Sequence, residues 1–300
     1  PVDRLGIQND VFALARSGSA TVADALELSK AYSNETNYAV WSDLSGNLGS
    51  VSALFSDHEN FEKYKKFILS VYEKIGKKLG WEENEGESDL DKLLRAIVLR
   101  KLGANGDASI MEEAKKRFVA YMKDPKSMKA DLRSIILQLV GKNATPEEYD
   151  QFIARFKAAP MQEEKLQNLR AGCLAKDEAL IVKSLDLTFS GVVRSQDLIY
   201  IYAAVVATHK GRAMAWDYLA KNWAKFTETL GGSFLLERMV SYVCGGFHTE
   251  EKAAAIEAFF KDIDTTRIAR ALAQSLEGIR TNAKFVSANK EAFAKFTASY

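Results

Sequence analysis

Three histidines are the only imidazoles in the sequence, and one of them opens a segment that partly matches a zinc-binding helix. His58-Glu59-Asn60-Phe61-Glu62 begins as H-E-x-x-H does, but Glu62 occupies the position of the second histidine. Two imidazoles four residues apart are needed to reach one zinc ion from a single helix face. The segment therefore predicts the start of a structural helix and no metal site.

Cys244 and His248 form a second pair of metal-ligand types at a spacing of four. Gly245 and Gly246 lie between them and interrupt the helix that would bring both to one face. No third ligand is near in sequence, so we predict no metal site here either. The other cysteine, Cys173, is far away in the chain and also apolar in its surroundings, which indicates buried thiols without a disulfide and favours a reducing, cytoplasmic setting.

No other catalytic motif is present. The sequence lacks a G-x-S-x-G elbow, a Walker loop and a G-x-G-x-x-G turn, and its carboxylates fit the solvated faces of amphipathic helices. With 41 basic and 40 acidic residues the net charge is +1. Phosphate binding needs a basic stripe, so this balance argues against nucleic-acid binding. The longest apolar run, 198–207, is shorter than the ~20 residues a membrane-spanning helix requires, and no signal peptide is expected.

The histidines and cysteines considered above must be positioned by helices. Apolar residues recur every three or four positions, and only four prolines occur. Thr21 with Asp24, Ser88 with Asp91, and Thr145 with Glu148 are predicted helix caps. Gly141 is predicted to end a helix, and Trp41, Trp216 and Trp223 are predicted to be core residues or anchors between helices. Further helices are predicted near residues 38–55, 58–79, 161–172, 176–187, 195–208, 211–226, 232–243, 250–261, 265–279 and 282–298.

The regular succession of predicted helices indicates an all-α fold in which residues 1–300 form a single domain. A helix pair about every 40 residues is the spacing of HEAT and armadillo arrays. We therefore expect an α-solenoid of stacked antiparallel helix pairs forming a concave bowl, a surface suited to ligand binding.

Several short segments, spread in order over nearly the whole chain, resemble the same protein family. They are residues 3–15, 34–41, 193–197, 211–216, 222–223, 232–238 and 277–283. Together they resemble the C-terminal helical domain of zinc aminopeptidases of the puromycin-sensitive type. The resemblance implies a longer enzyme that removes N-terminal residues from peptides, with its zinc in a catalytic domain upstream that is absent here. The opening at Pro1, with no start methionine, likewise suggests a segment of something longer.

The resemblance also implies the role of this segment: it closes over the catalytic domain and contacts the distal part of the peptide substrate, without catalysis or a cofactor of its own. Arg238 is the one substrate-binding residue it indicates, facing the cavity and holding substrate carbonyls or a carboxylate. The alternative is an arginine paired with a neighbouring glutamate on the helix surface. Arg194, Gln196, Asp197 and Arg212 also match the family and are interpreted as structural.

Two other functions stay open at this point. A free-standing HEAT-like scaffold would bind a helical or extended peptide on its concave face. An enzyme of unfamiliar chemistry is the third hypothesis, although no motif supports it.

Overall fold

The computed structural model describes all residues from 1 to 300 and contains α-helices, short 3-10 helices and no strand. The predicted all-α class is confirmed. The helices are α1 Val2–Ser17, α2 Val22–Lys30, α3 Tyr38–Leu54, α4 Phe61–Leu79, α5 Asp89–Ala104, α6 Ala108–Lys123, α7 Ala130–Lys142, α8 Pro146–Ala158, α9 Gln162–Gly172, α10 Glu178–Asp186, α11 Leu198–Val205, α12 His209–Lys221, α13 Trp223–Leu230, α14 Phe234–Cys244, α15 Glu250–Phe260 and α16 Ala269–Thr297. The 3-10 helices are Ala31–Asn34, Pro125–Ser127, Leu187–Phe189 and Ser195–Asp197.

The predicted helix caps are confirmed as reciprocal capping boxes. In each, the N-cap hydroxyl accepts from the backbone N–H three residues on, and the carboxylate at that position accepts from the N-cap backbone N–H. These contacts satisfy donors that the first helical turn leaves without partners. The pairs are Thr21 with Asp24, Ser88 with Asp91, and Thr145 with Glu148.

Several predicted boundaries are wrong. The helix expected from residue 58 begins at Phe61, because His58 lies in the preceding turn and its Nδ1 accepts from the Asn60 backbone N–H at 3.1 Å. The helix expected over 211–226 is two helices, α12 and α13. They are separated at Asn222, whose backbone N–H and side-chain amide both donate to the Tyr218 carbonyl.

The two helices expected at 265–279 and 282–298 are one, α16. Asn282 lies inside α16, and its side-chain amide donates to the Phe247 carbonyl at 3.2 Å. The helix end predicted at Gly141 is nearly right, since α7 ends one residue later, at Lys142. A Cβ at Gly141 would lie 2.1 Å from the Ala171 carbonyl oxygen, so this glycine permits close packing of backbone.

The chain divides into two compact units. Unit 1 comprises Pro1–Leu139 and Phe285–Tyr300, and unit 2 comprises Val140–Lys284. The single domain, the solenoid and the concave bowl stay predictions. The tryptophan predictions are confirmed. Trp41 and Trp216 are buried, and Trp223 is partly buried against the core of unit 2, where its ring meets Phe260 of α15 at a centroid distance of 5.0 Å.

In unit 1 the last residues of the chain pack among the first helices. The Phe293 ring is fully buried and stacks on the Phe55 ring with centroids 4.2 Å apart. The Asn289 side-chain oxygen accepts from the Val22 backbone N–H at 2.7 Å, which supplies a partner at the start of α2. Residues 285–300 therefore complete the core of this unit.

The polar loop at 82–87, which joins α4 to α5, is held by basic residues from the neighbouring helices. Arg95, only 2% exposed, donates to the Glu87 carboxylate at 2.5 Å and to the Leu79 carbonyl at 3.2 Å. Arg117 donates to Glu82 at 2.6 Å. Buried arginine needs such partners, because an unpaired buried charge is strongly destabilising.

The ionised Glu35 carboxylate should stabilise unit 1, and this stabilisation should be lost at acidic pH. The Glu35 side chain is 4% exposed, and burial alone would raise the pKa of its carboxyl. Hydrogen bonds from Arg4 and from the Asn37 and Thr36 backbone N–H groups outweigh the effect of burial and lower this pKa to about 2. A carboxyl whose pKa is lower in the folded state than in the unfolded state stabilises the fold at pH values above its unfolded-state pKa. That stabilisation is lost as the pH falls through the folded-state pKa. We therefore expect the stability difference between wild type and Glu35→Gln to be full at pH 7 and to shrink from about pH 4.5 toward pH 2.

Urea unfolding at a series of pH values measures this difference. A Glu35→Gln difference that stays constant from pH 7 to pH 3 would contradict the assignment.

In unit 2, α8 and α9 form a tightly packed helical hairpin. The α11 helix packs against both α9 and α14, so these three lie side by side, and α12 packs against α10 and α14 behind them. The core between the two rows is almost wholly apolar and includes both cysteines. This packing fixes which faces of α9, α11 and α14 remain exposed.

Candidate functional site

Arg238 lies on α14, and the burial pattern of that helix determines where its side chain points. Ser233 caps the helix by accepting from the Leu235 backbone N–H at 3.2 Å. One face is buried in the core of unit 2: Leu236, Met239, Val240, Val243 and Cys244. Residues four apart share a helix face, so the opposite face presents Phe234, Arg238 and the half-buried Tyr242.

The guanidinium of Arg238 is exposed and has no hydrogen bond or ion pair within the chain. No ion pair joins it to its sequence neighbour Glu237. Five N–H donors in a planar fork are therefore available for a ligand carboxylate or carbonyl. Its contact with substrate stays a prediction.

Phe234 and Tyr242 flank Arg238 by one helical turn on either side. Phe234 is 64% exposed, a large apolar surface for a solvent-facing ring. We name this face the α14 stripe, defined by Phe234, Arg238 and Tyr242. It combines an apolar ring, a cation and a phenol, which suits a peptide backbone with an apolar side chain. Sequence reasoning missed the two aromatic residues, although their spacing of four from Arg238 could have indicated them.

The neighbouring helices add aromatic and cationic groups of their own. Tyr200 on α11 is partly exposed, and the Arg170 guanidinium of α9 lies 5.6 Å from the centre of its ring. Such a contact holds an arginine in place while leaving it charged. The exposed sides of α9 and α14 thus each carry an arginine next to an aromatic ring.

Among the other residues that match the family, Arg194, Asp197 and Arg212 make structural contacts. Asp197 is 5% exposed and accepts from Arg194 Nε at 2.7 Å and from Gln162 at 3.1 Å, which fixes the entry to α11. Arg212 is also buried, and its side chain packs closely on Gly246, where a Cβ would lie 3.3 Å from Arg212 Nε. Gln196 is exposed. The structure does not bring these residues into the α14 stripe.

The residues of metal-ligand type have other roles. The His58 ring packs edge-on against Phe293 at 5.0 Å. α14 ends at Cys244, so the predicted break before His248 is confirmed. Burial raises the pKa of the Cys244 thiol to about 12, which keeps it protonated rather than a thiolate ligand. No group of three or more His, Cys, Asp or Glu side chains is arranged to hold a metal ion.

No helix is both long enough and apolar enough to cross a lipid bilayer. The predicted apolar run at 198–207 corresponds largely to α11, an eight-residue helix whose side chains are mostly in the core of unit 2.

Comparison with known proteins gives one consistent result. The sequence profile of the ERAP1-like C-terminal domain family matches residues 1–281. Aminopeptidase M1 of Arabidopsis thaliana is 31% identical over 297 residues, which cover 97% of this chain and 34% of that protein. Puromycin-sensitive aminopeptidase of Caenorhabditis elegans is 25% identical over 301 residues, covering 97% of this chain and 32% of that protein.

Aminopeptidase 2, mitochondrial, of Saccharomyces cerevisiae is 26% identical, and the match covers 98% of this chain and 31% of that protein. The chain thus spans about a third of the length of the curated relatives it matches. These matches confirm the resemblance that the sequence segments indicated. Because the family profile covers nearly the whole chain, the chain belongs to the ERAP1-like C-terminal domain family.

Proposed function

We propose that this chain is the helical C-terminal part of a cytoplasmic zinc aminopeptidase that removes N-terminal residues from peptides. In this proposal it closes over a catalytic domain elsewhere in the same polypeptide and contacts the distal part of the peptide. The observation that carries the proposal is the family match over residues 1–281, together with relatives that are named aminopeptidases and are about three times as long. The two buried free thiols fit a reducing compartment.

The zinc ion implied by the family has no fitting donor set in this chain. His58 lies in a turn with Glu62, not a histidine, four residues on, and Cys244 and His248 are separated by the end of α14. We therefore assign the metal no residue here and place the hydrolytic chemistry outside these 300 residues.

The α14 stripe is the surface we assign to the distal peptide. The Arg238 guanidinium would donate to a carbonyl or carboxylate of the substrate, and Phe234 would cover an apolar side chain. A contact of this kind lies far from the scissile bond. It contributes binding energy only for peptides long enough to reach it.

Arg238→Ala in the longer polypeptide that carries this chain is expected to lower kcat/KM for a ten-residue peptide by about tenfold. The loss corresponds to roughly 1.5 kcal/mol, the lower range for hydrogen bonds to a charged group. Turnover of a single aminoacyl fluorophore, which is too short to reach α14, should be unchanged. Steady-state kinetics on the two substrates measure both effects.

Arg100→Ala, which removes another exposed arginine, is the matched control and should leave both substrates unaffected. The 300-residue chain alone is a second control: it should bind no stoichiometric zinc and release no fluorophore. Equal losses on long and short substrates would contradict a distal contact. Chelator-sensitive turnover by the chain alone would contradict the whole assignment, and a longer polypeptide without a zinc site would favour the peptide-binding scaffold.

A further inference from the structure

Arg170 on α9 is a second arginine of unit 2 whose charge is not balanced within the chain. Its side chain is exposed and forms no ion pair or hydrogen bond. The guanidinium carbon lies 5.6 Å from the centre of the Tyr200 ring of α11, so the charge is attracted to that ring while its N–H donors stay available. This arginine is therefore held in place without being neutralised.

The acidic residues of α9 do not compensate this charge. Glu163 is exposed on the same helix, two turns and about 10 Å before Arg170, and its carboxylate accepts from the Gln167 amide at 3.0 Å. Glu164 is buried in an ion pair with Arg155. The neighbouring helix α11 contains no charged residue. Neither helix supplies a counter-ion for Arg170, so a carboxylate from outside the chain can pair with it.

The position of Arg170 relative to the α14 stripe follows from the packing of the helices. α11 packs against both α9 and α14, and the axes of packed helices are about 8–10 Å apart. Because Arg170 reaches toward α11, one to two such intervals, roughly 9–20 Å, separate its guanidinium from that of Arg238. An extended peptide covers this distance in about three to six residues. One peptide can therefore meet both arginines, at two different positions.

We propose that Arg170, positioned by Tyr200, is a second anion contact that selects substrate peptides with an acidic side chain. The proposal rests on the function proposed above, in which the α14 stripe contacts the distal part of the peptide. An aspartate or glutamate carboxylate of the peptide accepts from the guanidinium, whose fork of N–H donors matches the geometry of a carboxylate. The substrate class is long peptides that carry an acidic residue several positions away from the group held at Arg238.

The test uses the longer polypeptide that carries this chain and ten-residue peptide amides built of alanine and serine. Each peptide has a single aspartate, placed in turn at every position from the fourth to the tenth, and the initial rate of release of the first residue gives kcat/KM. At one position aspartate should raise kcat/KM about twofold to fivefold over asparagine, the range for an exposed ion pair. The amide removes the C-terminal carboxylate, and the same peptides with a free C-terminus form a second arm.

Variants assign the gain to a residue. Arg170→Gln should abolish it and leave the asparagine peptides unchanged, whereas Arg100→Gln, which removes an exposed arginine of unit 1, should preserve it. Arg238→Ala should also preserve it, because the two arginines meet different positions of the peptide. Tyr200→Phe keeps the ring and should retain the gain, whereas Tyr200→Leu should at least halve it through a higher KM at unchanged kcat. Far-ultraviolet circular dichroism verifies the helix content of each variant.

The proposal is overturned if no position favours aspartate over asparagine, or if Arg170→Gln keeps the gain. It is equally overturned if a gain appears only in the arm with a free C-terminus, or if Tyr200→Leu keeps the full gain. Failure of the proposed function gives a different result, since Arg238→Ala then lowers the turnover of long and short substrates equally. A selective effect of Arg238→Ala on long substrates, without any gain from aspartate, refutes the Arg170 contact alone.

Discussion

Phe293→Ala is expected to lower the free energy of unfolding of unit 1 by about 3–5 kcal/mol, the range for deleting a fully buried phenylalanine. The ring has no exposed surface. It stacks on Phe55 and meets Tyr64 at a centroid distance of 5.4 Å. Removing it leaves a cavity where aromatic rings from the N-terminal helices and from α16 meet, and the stiff helices around it cannot collapse to fill the space.

Native-state hydrogen exchange of the α3 and α4 amides measures this effect in unit 1 itself, because both helices lie inside it. Phe234→Ala is the matched control. It makes the same chemical change at a side chain that is 64% exposed, and its effect should stay within about 0.5 kcal/mol. If Phe293→Ala left the protection of α3 and α4 at the wild-type level, the last residues would have no part in the core of unit 1.

Gly141→Ala is expected to destabilise unit 2 by about 3 kcal/mol or more, at the upper end of the effects of overpacking. The added Cβ would lie 2.1 Å from the Ala171 carbonyl oxygen and 2.6 Å from its carbon. Both are backbone atoms inside α9, so neither can move without shifting that helix. The result is opposite in sign to the usual gain when alanine replaces glycine within a helix.

Gly278→Ala provides the matched control in the same unit. This glycine lies inside α16 with open space where a Cβ would be placed, so alanine should stabilise the protein by about 0.5–1 kcal/mol. Thermal unfolding of the two variants beside wild type gives the comparison. A stabilised or neutral Gly141→Ala would mean that α7 and α9 pack less closely than described.

The parts of the fold that could be read from sequence are those governed by local chemistry. Thr145, Pro146 and Glu148 form a cap whose partners all lie within one turn, so their identities sufficed to predict it. Asn282 could not be placed correctly, because the carbonyl that accepts its amide belongs to Phe247, far away in sequence. The sequence predicts one helix ending at residue 279 and another beginning at 282, whereas α16 is continuous through both positions.

The role of Gly141 also depends on a tertiary contact that could not be predicted from the local sequence. Glycine after a run of apolar residues is typical of a helix end, and nothing local reveals that another helix passes within contact of its Cα. Leu93 is an apolar residue directly before the buried Leu94 of α5, yet it is 51% exposed. The same holds for the candidate site. Arg238 could be predicted from the family resemblance, whereas the exposure of Phe234 depends on tertiary packing and could not be predicted from the sequence.

The position of residues 285–300 has a consequence for synthesis on the ribosome. The bond from Val22 to Asn289 joins residues 267 positions apart, so the nascent N-terminal helices must wait for nearly the entire segment to be translated before their partner emerges. Domains usually fold as they leave the exit tunnel, at 5–20 residues per second. For unit 1 that delay is at least about ten seconds, during which the apolar surface that Phe293 later covers is open to chaperones.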